Sequence, residues 1–74
     1  MTELEAIRII KRYYLTRGCW ISDIARKFNA PYEATREIIV ALGFSRGKYE
    51  SPVSDAQLLN DAHIKNLLER YFCS

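Results

Sequence analysis

The stretch ISDIARKFNAPYEATREIIVALGF, residues 21–44, contains two helical patterns interrupted at Asn29, Ala30 and Pro31. Asparagine adopts the left-handed backbone conformation more readily than most residues. Proline disfavours the helical conformation in the residue that precedes it. The interruption is therefore short and sharp, and the sequence predicts two helices joined by a tight turn.

Capping and stop signals set the bounds of the predicted helices. Thr2 and Glu5 form a capping-box pattern ahead of a helical apolar repeat, and Gly18 ends that helix. Pro31 is expected at the first position of its helix, and Gly43 after the last. The sequence predicts a first helix at about 3–16, a second at about 21–28, a third at about 31–42 and a C-terminal helical segment at about 54–72, with a break near Asn60.

The segment between the third helix and the C-terminal segment is open to two interpretations. Residues 44–51 contain Gly47, and Phe44-Ser45 can pair with Tyr49-Glu50 as a short β-hairpin wing. An irregular loop fits the same residues.

Length and composition indicate one globular domain covering residues 1–74. The chain is 49% apolar and 27% charged, which is ordinary for a folded domain, and 74 residues leave no room for a second core. No apolar run approaches the ~18 residues that span a bilayer, and the first residues lack the pattern of a signal peptide. We expect a cytoplasmic protein that does not contact a membrane.

The sequence contains no motif for catalysis. It lacks a glycine-rich phosphate loop, a nucleophile motif and a usable cluster of histidine with carboxylates. A zinc site at Cys19, His63 and Cys73 would need a fourth ligand and lacks a closely spaced pair. We therefore expect no enzymatic activity, no cofactor and two reduced cysteines.

Charge is distributed unevenly along the chain. Residues 1–49 hold nine basic and five acidic residues, whereas residues 50–74 hold two basic and four acidic residues. Helical spacing directs Arg8, Lys11 and Arg12 to the outer face of the first helix. This asymmetry favours one surface for a polyanion and another for a different contact.

The residues that flank the turn have a further pattern in common. Ala25 lies where the two helices are expected to cross, and four more residues occupy inward positions: Ile24, Phe28, Ala30 and Ile38. In these residues the sequence resembles the helix-turn-helix superfamily of DNA-binding regulators, of the kind found in small bacterial and phage transcription factors. The resemblance extends from Trp20 to Leu42. It departs at Asn29, where the family usually has glycine, and at Thr35, where valine or isoleucine is more common.

The resemblance implies an all-α, tri-helical helix-turn-helix domain with one or two additional C-terminal helices. It implies that the third helix enters the DNA major groove. The side chains that would face the bases are Tyr32, Glu33, Arg36 and Glu37. The cations available for phosphates are Arg17, Arg26, Lys27, Arg46 and Lys48. Trp20, beside the start of the second helix, is expected to be a core or packing residue.

Two functions remain open. The first is a double-stranded DNA-binding transcriptional regulator, cytoplasmic and associated with the nucleoid. The alternative is a small adaptor or inhibitor that binds a larger protein, because the third helix carries two outward glutamates against one arginine. An apolar stripe in the C-terminal segment either closes the core over the first helix or forms a homodimer contact; its members are Ile64, Leu67, Leu68 and Tyr71.

Overall fold

The computed structural model describes residues 1–45, 48–49 and 54–73, with the backbone alone for 44–45 and 48–49, and the described chain is mostly helical. Its elements in chain order are α1 (Glu3–Lys11), a π-helical continuation (Arg12–Thr16), α2 (Ile21–Phe28), α3 (Tyr32–Ala41), β1 (Phe44–Ser45), β2 (Lys48–Tyr49), α4 (Asp55–Leu58) and α5 (Ala62–Tyr71). The all-α class is confirmed, together with the break in the C-terminal segment.

Side-chain caps begin three of the helices. The Thr2 hydroxyl accepts a hydrogen bond from the Glu5 backbone N–H, and the Glu5 carboxylate accepts from Thr2 in return. Ser54 accepts from the Gln57 N–H at the start of α4. Asp61 accepts from the backbone N–H groups of residues 63 and 64 at the start of α5. Each cap satisfies backbone donors that have no partner within the helix.

The turn between α2 and α3 has the predicted left-handed residue. Asn29 has φ 54° and ψ 43°, and the next N–H, that of Ala30, donates to the Ala25 carbonyl at 2.8 Å. Pro31 has an extended backbone and precedes α3, so its predicted place as the first helical residue is wrong by one position. Its carbonyl is then free to accept from the Thr35 backbone N–H at 3.2 Å.

One apolar core joins α1, α3 and α5 with the inner side of α2. Its buried members are Ala6, Ile7, Ile10, Ile24, Ile38, Ile39, Leu42, Leu58, Ile64, Leu68 and Phe72. Thr35 is also fully buried, and its hydroxyl donates to the Pro31 carbonyl at 3.0 Å, so the polar group has a partner. The ring of Phe28 meets the ring of Phe72 edge to face at 4.9 Å. These contacts hold α2 and α3 in fixed positions on α5 and α1.

The C-terminal stripe packs within the chain. Ile64 and Leu68 are buried, while Leu67 and Tyr71 are partly buried and pack against the core. Of the two roles predicted for this stripe, closing the core is the one these side chains have here.

Three local predictions were wrong. Trp20 is 72% exposed and is not a core residue. Lys11 is not on a free outer stripe, because it forms an ion pair with Asp55 of α4. In the hairpin, Phe44 pairs with Tyr49 and Ser45 with Lys48, one position away from the predicted register.

Candidate functional site

The outer face of α3 carries two rows of side chains. Tyr32, Arg36 and Val40 recur every four residues and form one row, and Glu33 and Glu37 form the row beside it. All five side chains are exposed, because the inner face of the same helix is supplied by Ala34, Thr35, Ile38 and Ile39. Positive charge and carboxylates are therefore separated into adjacent rows.

Arg36 supplies the positive charge on this face. Within the described part of the chain its guanidinium has no ion pair and no hydrogen bond. Tyr32 on one side is 51% exposed, and Val40 on the other is 56% exposed. The row therefore combines a planar hydrogen-bond donor with two apolar surfaces, all accessible from outside.

Glu37 has a partner on a different helix. Its Oε2 lies 3.2 Å from Nε2 of His63, at the start of α5. From the sequence, Glu37 was predicted to face the DNA bases, and no binding role was predicted for His63. The two are brought together because α5 packs against α3.

Cations cluster beside the ring of Tyr13. The guanidinium carbon of Arg17 lies 5.3 Å from the ring centroid, and the ammonium nitrogen of Lys27 lies 4.9 Å from it. Arg26 is close by in sequence but is 3.9 Å from the carboxylate of Asp23. Arg17 and Lys27, two of the predicted phosphate-binding residues, are thus held together at one place.

A shallow depression of about 470 Å³ adjoins this cluster and is lined by Cys19, Asp23, Arg26 and Lys27. The Cys19 N–H donates to the Tyr13 carbonyl at 3.1 Å, which ties the start of α2 to the end of the first helix. Trp20 is the next residue in the chain after Cys19.

Two predicted phosphate contacts cannot be located. Arg46 lies outside the described residues, and for Lys48 the description covers the backbone only. The paired strands bring residue 48 opposite residue 45, next to the end of α3.

Tyr13 and His63 are the site residues that sequence analysis missed. The spacing of Tyr13 and Arg17, four positions on one helix, is a signal that such side chains meet. No comparable local spacing indicates the contact of Tyr13 with Lys27, or that of Glu37 with His63, because both depend on packing between helices.

Among the described residues, Glu5 and Cys73 have shifted pKa values, and neither belongs to the α3 face or to the cluster at Tyr13. Hydrogen bonds from the Thr2 backbone N–H and hydroxyl lower the pKa of Glu5. Burial, reinforced by the carboxylate of Glu3, raises the pKa of the Cys73 thiol.

Across the described ranges, no three histidine, cysteine or acidic side chains are arranged to hold a metal ion. None of the helices described has the length and apolar character needed to cross a membrane. No protein-family model, curated protein or solved structure matches the chain.

Proposed function

We propose that α2 and α3 form a helix-turn-helix unit that binds double-stranded DNA, and that the protein is a small transcriptional regulator with α3 in the major groove. The observation that carries the proposal is the exposed row of Tyr32, Arg36 and Val40, in which the central arginine has no ion pair with any described residue. The left-handed Asn29 and the buried Ala25 support the motif, because they allow the tight turn and the close crossing of α2 and α3.

Arg36 is the residue assigned to base recognition. A guanidinium can donate two parallel hydrogen bonds to O6 and N7 of guanine, which is worth about 1–3 kcal/mol of discrimination. Val40 and Tyr32 offer apolar contacts of the kind that suit a thymine methyl group. Glu33, in the neighbouring row, is suited to accept a hydrogen bond from cytosine N4.

The position of Glu37 reduces the electrostatic repulsion expected between its carboxylate and the DNA phosphates. Its carboxylate has a hydrogen-bond partner on α5, and it belongs to the row that does not contain Arg36. A carboxylate that faces DNA phosphates would oppose binding. The hydrogen bond between Glu37 and His63 is therefore compatible with DNA that contacts the row of Arg36.

Phosphate contacts would come from the cations around α2. The three described ones, Arg17, Arg26 and Lys27, imply a slope of about −3 when log affinity is plotted against log salt concentration, and adding Arg46 and Lys48 implies about −4.5. Such a slope supports non-specific binding by a monomer, and a homodimer would double the contacts.

The test is a titration of fluorescently labelled duplex DNA at 50–200 mM salt, followed by a comparison of specific and unrelated duplexes after site selection. Wild-type protein should bind at low salt with the slope given above. Arg36→Ala should reduce the preference for the selected sequence by about 5- to 150-fold, since the loss is about 1–3 kcal/mol. Arg36→Lys retains the charge without the planar guanidinium, so it should keep the affinity for DNA but lose the sequence preference.

Arg70→Ala is the matched control, because it removes one positive charge from the exposed side of α5. It should leave sequence preference unchanged. If wild-type protein fails to bind duplex DNA at micromolar concentration in 50 mM salt, the DNA-binding proposal is refuted.

The alternative function, an adaptor or inhibitor that binds a larger protein, is favoured by one observation. Tyr32 and Val40 are large apolar side chains, each more than half exposed, on the same face of α3. Exposed apolar side chains of this kind also anchor protein interfaces. A protein complex with an apolar centre should change little in affinity between 50 and 200 mM salt, whereas DNA binding should weaken steeply.

A further inference from the structure

The ring of Tyr13 contacts two cations that come from different parts of the chain, Arg17 and Lys27. Arg17 follows the π-helical segment, and Lys27 belongs to the last turn of α2. Both charged centres lie within 5.3 Å of the Tyr13 ring centroid. Two like charges that contact the same ring repel each other at low salt, and the negative face of an aromatic ring attracts both of them.

Arg17 and Lys27 also differ from the neighbouring cations in their partners. Arg26 lies beside the carboxylate of Asp23, and Lys11 is paired with Asp55. In the described ranges neither Arg17 nor Lys27 has a carboxylate partner. An anion placed next to both would relieve their repulsion and accept charge-assisted hydrogen bonds from each.

We propose that Tyr13, Arg17 and Lys27 form a clamp for the phosphate backbone of one DNA strand, in which Tyr13 is a positioning residue for the two cations. This inference rests on the proposed function and adds to it the place on the protein that binds the DNA phosphate backbone. Phosphate contacts fix the register of a DNA-binding protein on the duplex without reading the sequence. The Tyr13 clamp therefore sets affinity, while the α3 row sets preference.

The salt dependence of generic duplex binding tests the clamp. Tyr13→Leu should reduce the salt slope by about 1, because the two cations are no longer held together, and Tyr13→Phe should retain the wild-type slope. The double variant Arg17→Ala, Lys27→Ala should reduce the slope by about 2. Adding Tyr13→Leu to that double variant should change nothing further, since a positioning residue has no effect once the groups it positions are gone.

A merely structural role for Tyr13 would give a different pattern. It would lower affinity at every salt concentration without changing the slope, and it would lower affinity again in the double variant. Either result overturns the clamp. Because Tyr13 packs against the core, thermal unfolding of each variant is measured alongside. The single variants Arg17→Ala and Lys27→Ala keep the ring, and each should reduce the slope by about 1.

Arg70→Ala again serves as the control, since its guanidinium lies 5.8 Å from the ring centroid of Tyr71 and is not one of the two cations on the Tyr13 ring. This variant should keep the wild-type slope. Absence of duplex binding by the wild-type protein overturns the proposed function and the clamp together. Normal binding with a slope that Arg17, Lys27 and Tyr13 variants leave unchanged overturns the clamp alone.

Trp20 supplies an independent readout. It is the single tryptophan of the chain, it is exposed, and it follows the hydrogen bond between Cys19 and Tyr13. Its fluorescence should change in parallel with DNA saturation if the strand lies over this region. Unchanged emission at saturation would contradict that placement of the strand.

Discussion

His63 on α5 and Glu37 on α3 are joined by a hydrogen bond of 3.2 Å between Nε2 and Oε2. Their side chains remain largely exposed, at 62% and 49% respectively, so solvent screens the pair. The contact nevertheless connects the C-terminal helix to the acidic row of α3. It gives α5 an influence on the charge of the surface proposed to face DNA.

The first prediction concerns that charge. Glu37→Gln removes a negative charge from α3 and should raise the affinity for duplex DNA about two- to five-fold in 50 mM salt, as expected for a screened repulsion of about 0.4–1 kcal/mol. His63→Ala releases the carboxylate and should lower affinity. Fluorescence anisotropy of a labelled duplex measures both effects.

Glu69→Gln is the control for this pair, because it removes a carboxylate from the exposed side of α5. It should have a smaller effect than Glu37→Gln. Thermal unfolding should show that neither Glu37→Gln nor His63→Ala costs more than about 1 kcal/mol. Equal effects of the two glutamate variants on affinity would contradict a local role for Glu37.

A second prediction concerns the link between α1 and α4. The Lys11 ammonium pairs with the Asp55 carboxylate, and both side chains are 23% exposed. Lys11→Met keeps the apolar stem and removes the charge, so it should lower the free energy of unfolding by about 1 kcal/mol, or about 4–8 °C in Tm. Arg12→Met, on an exposed residue of the π-helical continuation without a described ion pair, should leave Tm within about 2 °C.

The inward part of the fold was predictable from the sequence because it follows from local rules. Helical periodicity identified Ile24 and Ile38, and the backbone preferences of Asn29 and Pro31 identified the turn. These rules act over a few residues, which is why the bounds of α2 were predicted to the residue. Ile39 was not predicted to be buried, because the buried face of α3 is wider than the apolar stripe that helical spacing indicates.

The contacts between helices were not predictable in the same way. Glu37 and His63 are 26 positions apart, and nothing in local spacing brings them together. Trp20 was expected to pack inside because large aromatic rings usually bury much of their surface. Its place before the first turn of α2 leaves the ring outside instead.

A third prediction concerns pH. The Thr2 backbone N–H and hydroxyl lower the pKa of Glu5 below its ordinary value of 4.5. The capping box therefore contributes stability that is present above pH 4.5 and is lost as pH falls through the lower pKa of the folded state. Glu5→Gln should abolish that contribution and flatten this part of the pH profile.

Chemical denaturation between pH 3 and 7 measures the profile, and Glu33→Gln is the control. Glu33 also lies in the first turn of a helix, but its carboxylate has no capping-box partner in the described part of the chain. If both variants change the profile equally, the effect belongs to helix-dipole interactions in general and not to the hydrogen bonds with Thr2.

The last prediction concerns the turn between α2 and α3. Asn29 has φ 54°, in the region that costs residues with a Cβ about 1–2 kcal/mol and costs glycine nothing. Asn29→Ala should therefore lower the free energy of unfolding by about 1 kcal/mol, because alanine loses the local polar contacts that let asparagine adopt this conformation. Asn29→Gly should stay within about 0.5 kcal/mol of wild type, since backbone relief is offset by the greater freedom of glycine in the unfolded chain. Urea denaturation measures both. An Asn29→Ala protein as stable as the wild type would show that the left-handed turn is not maintained in solution.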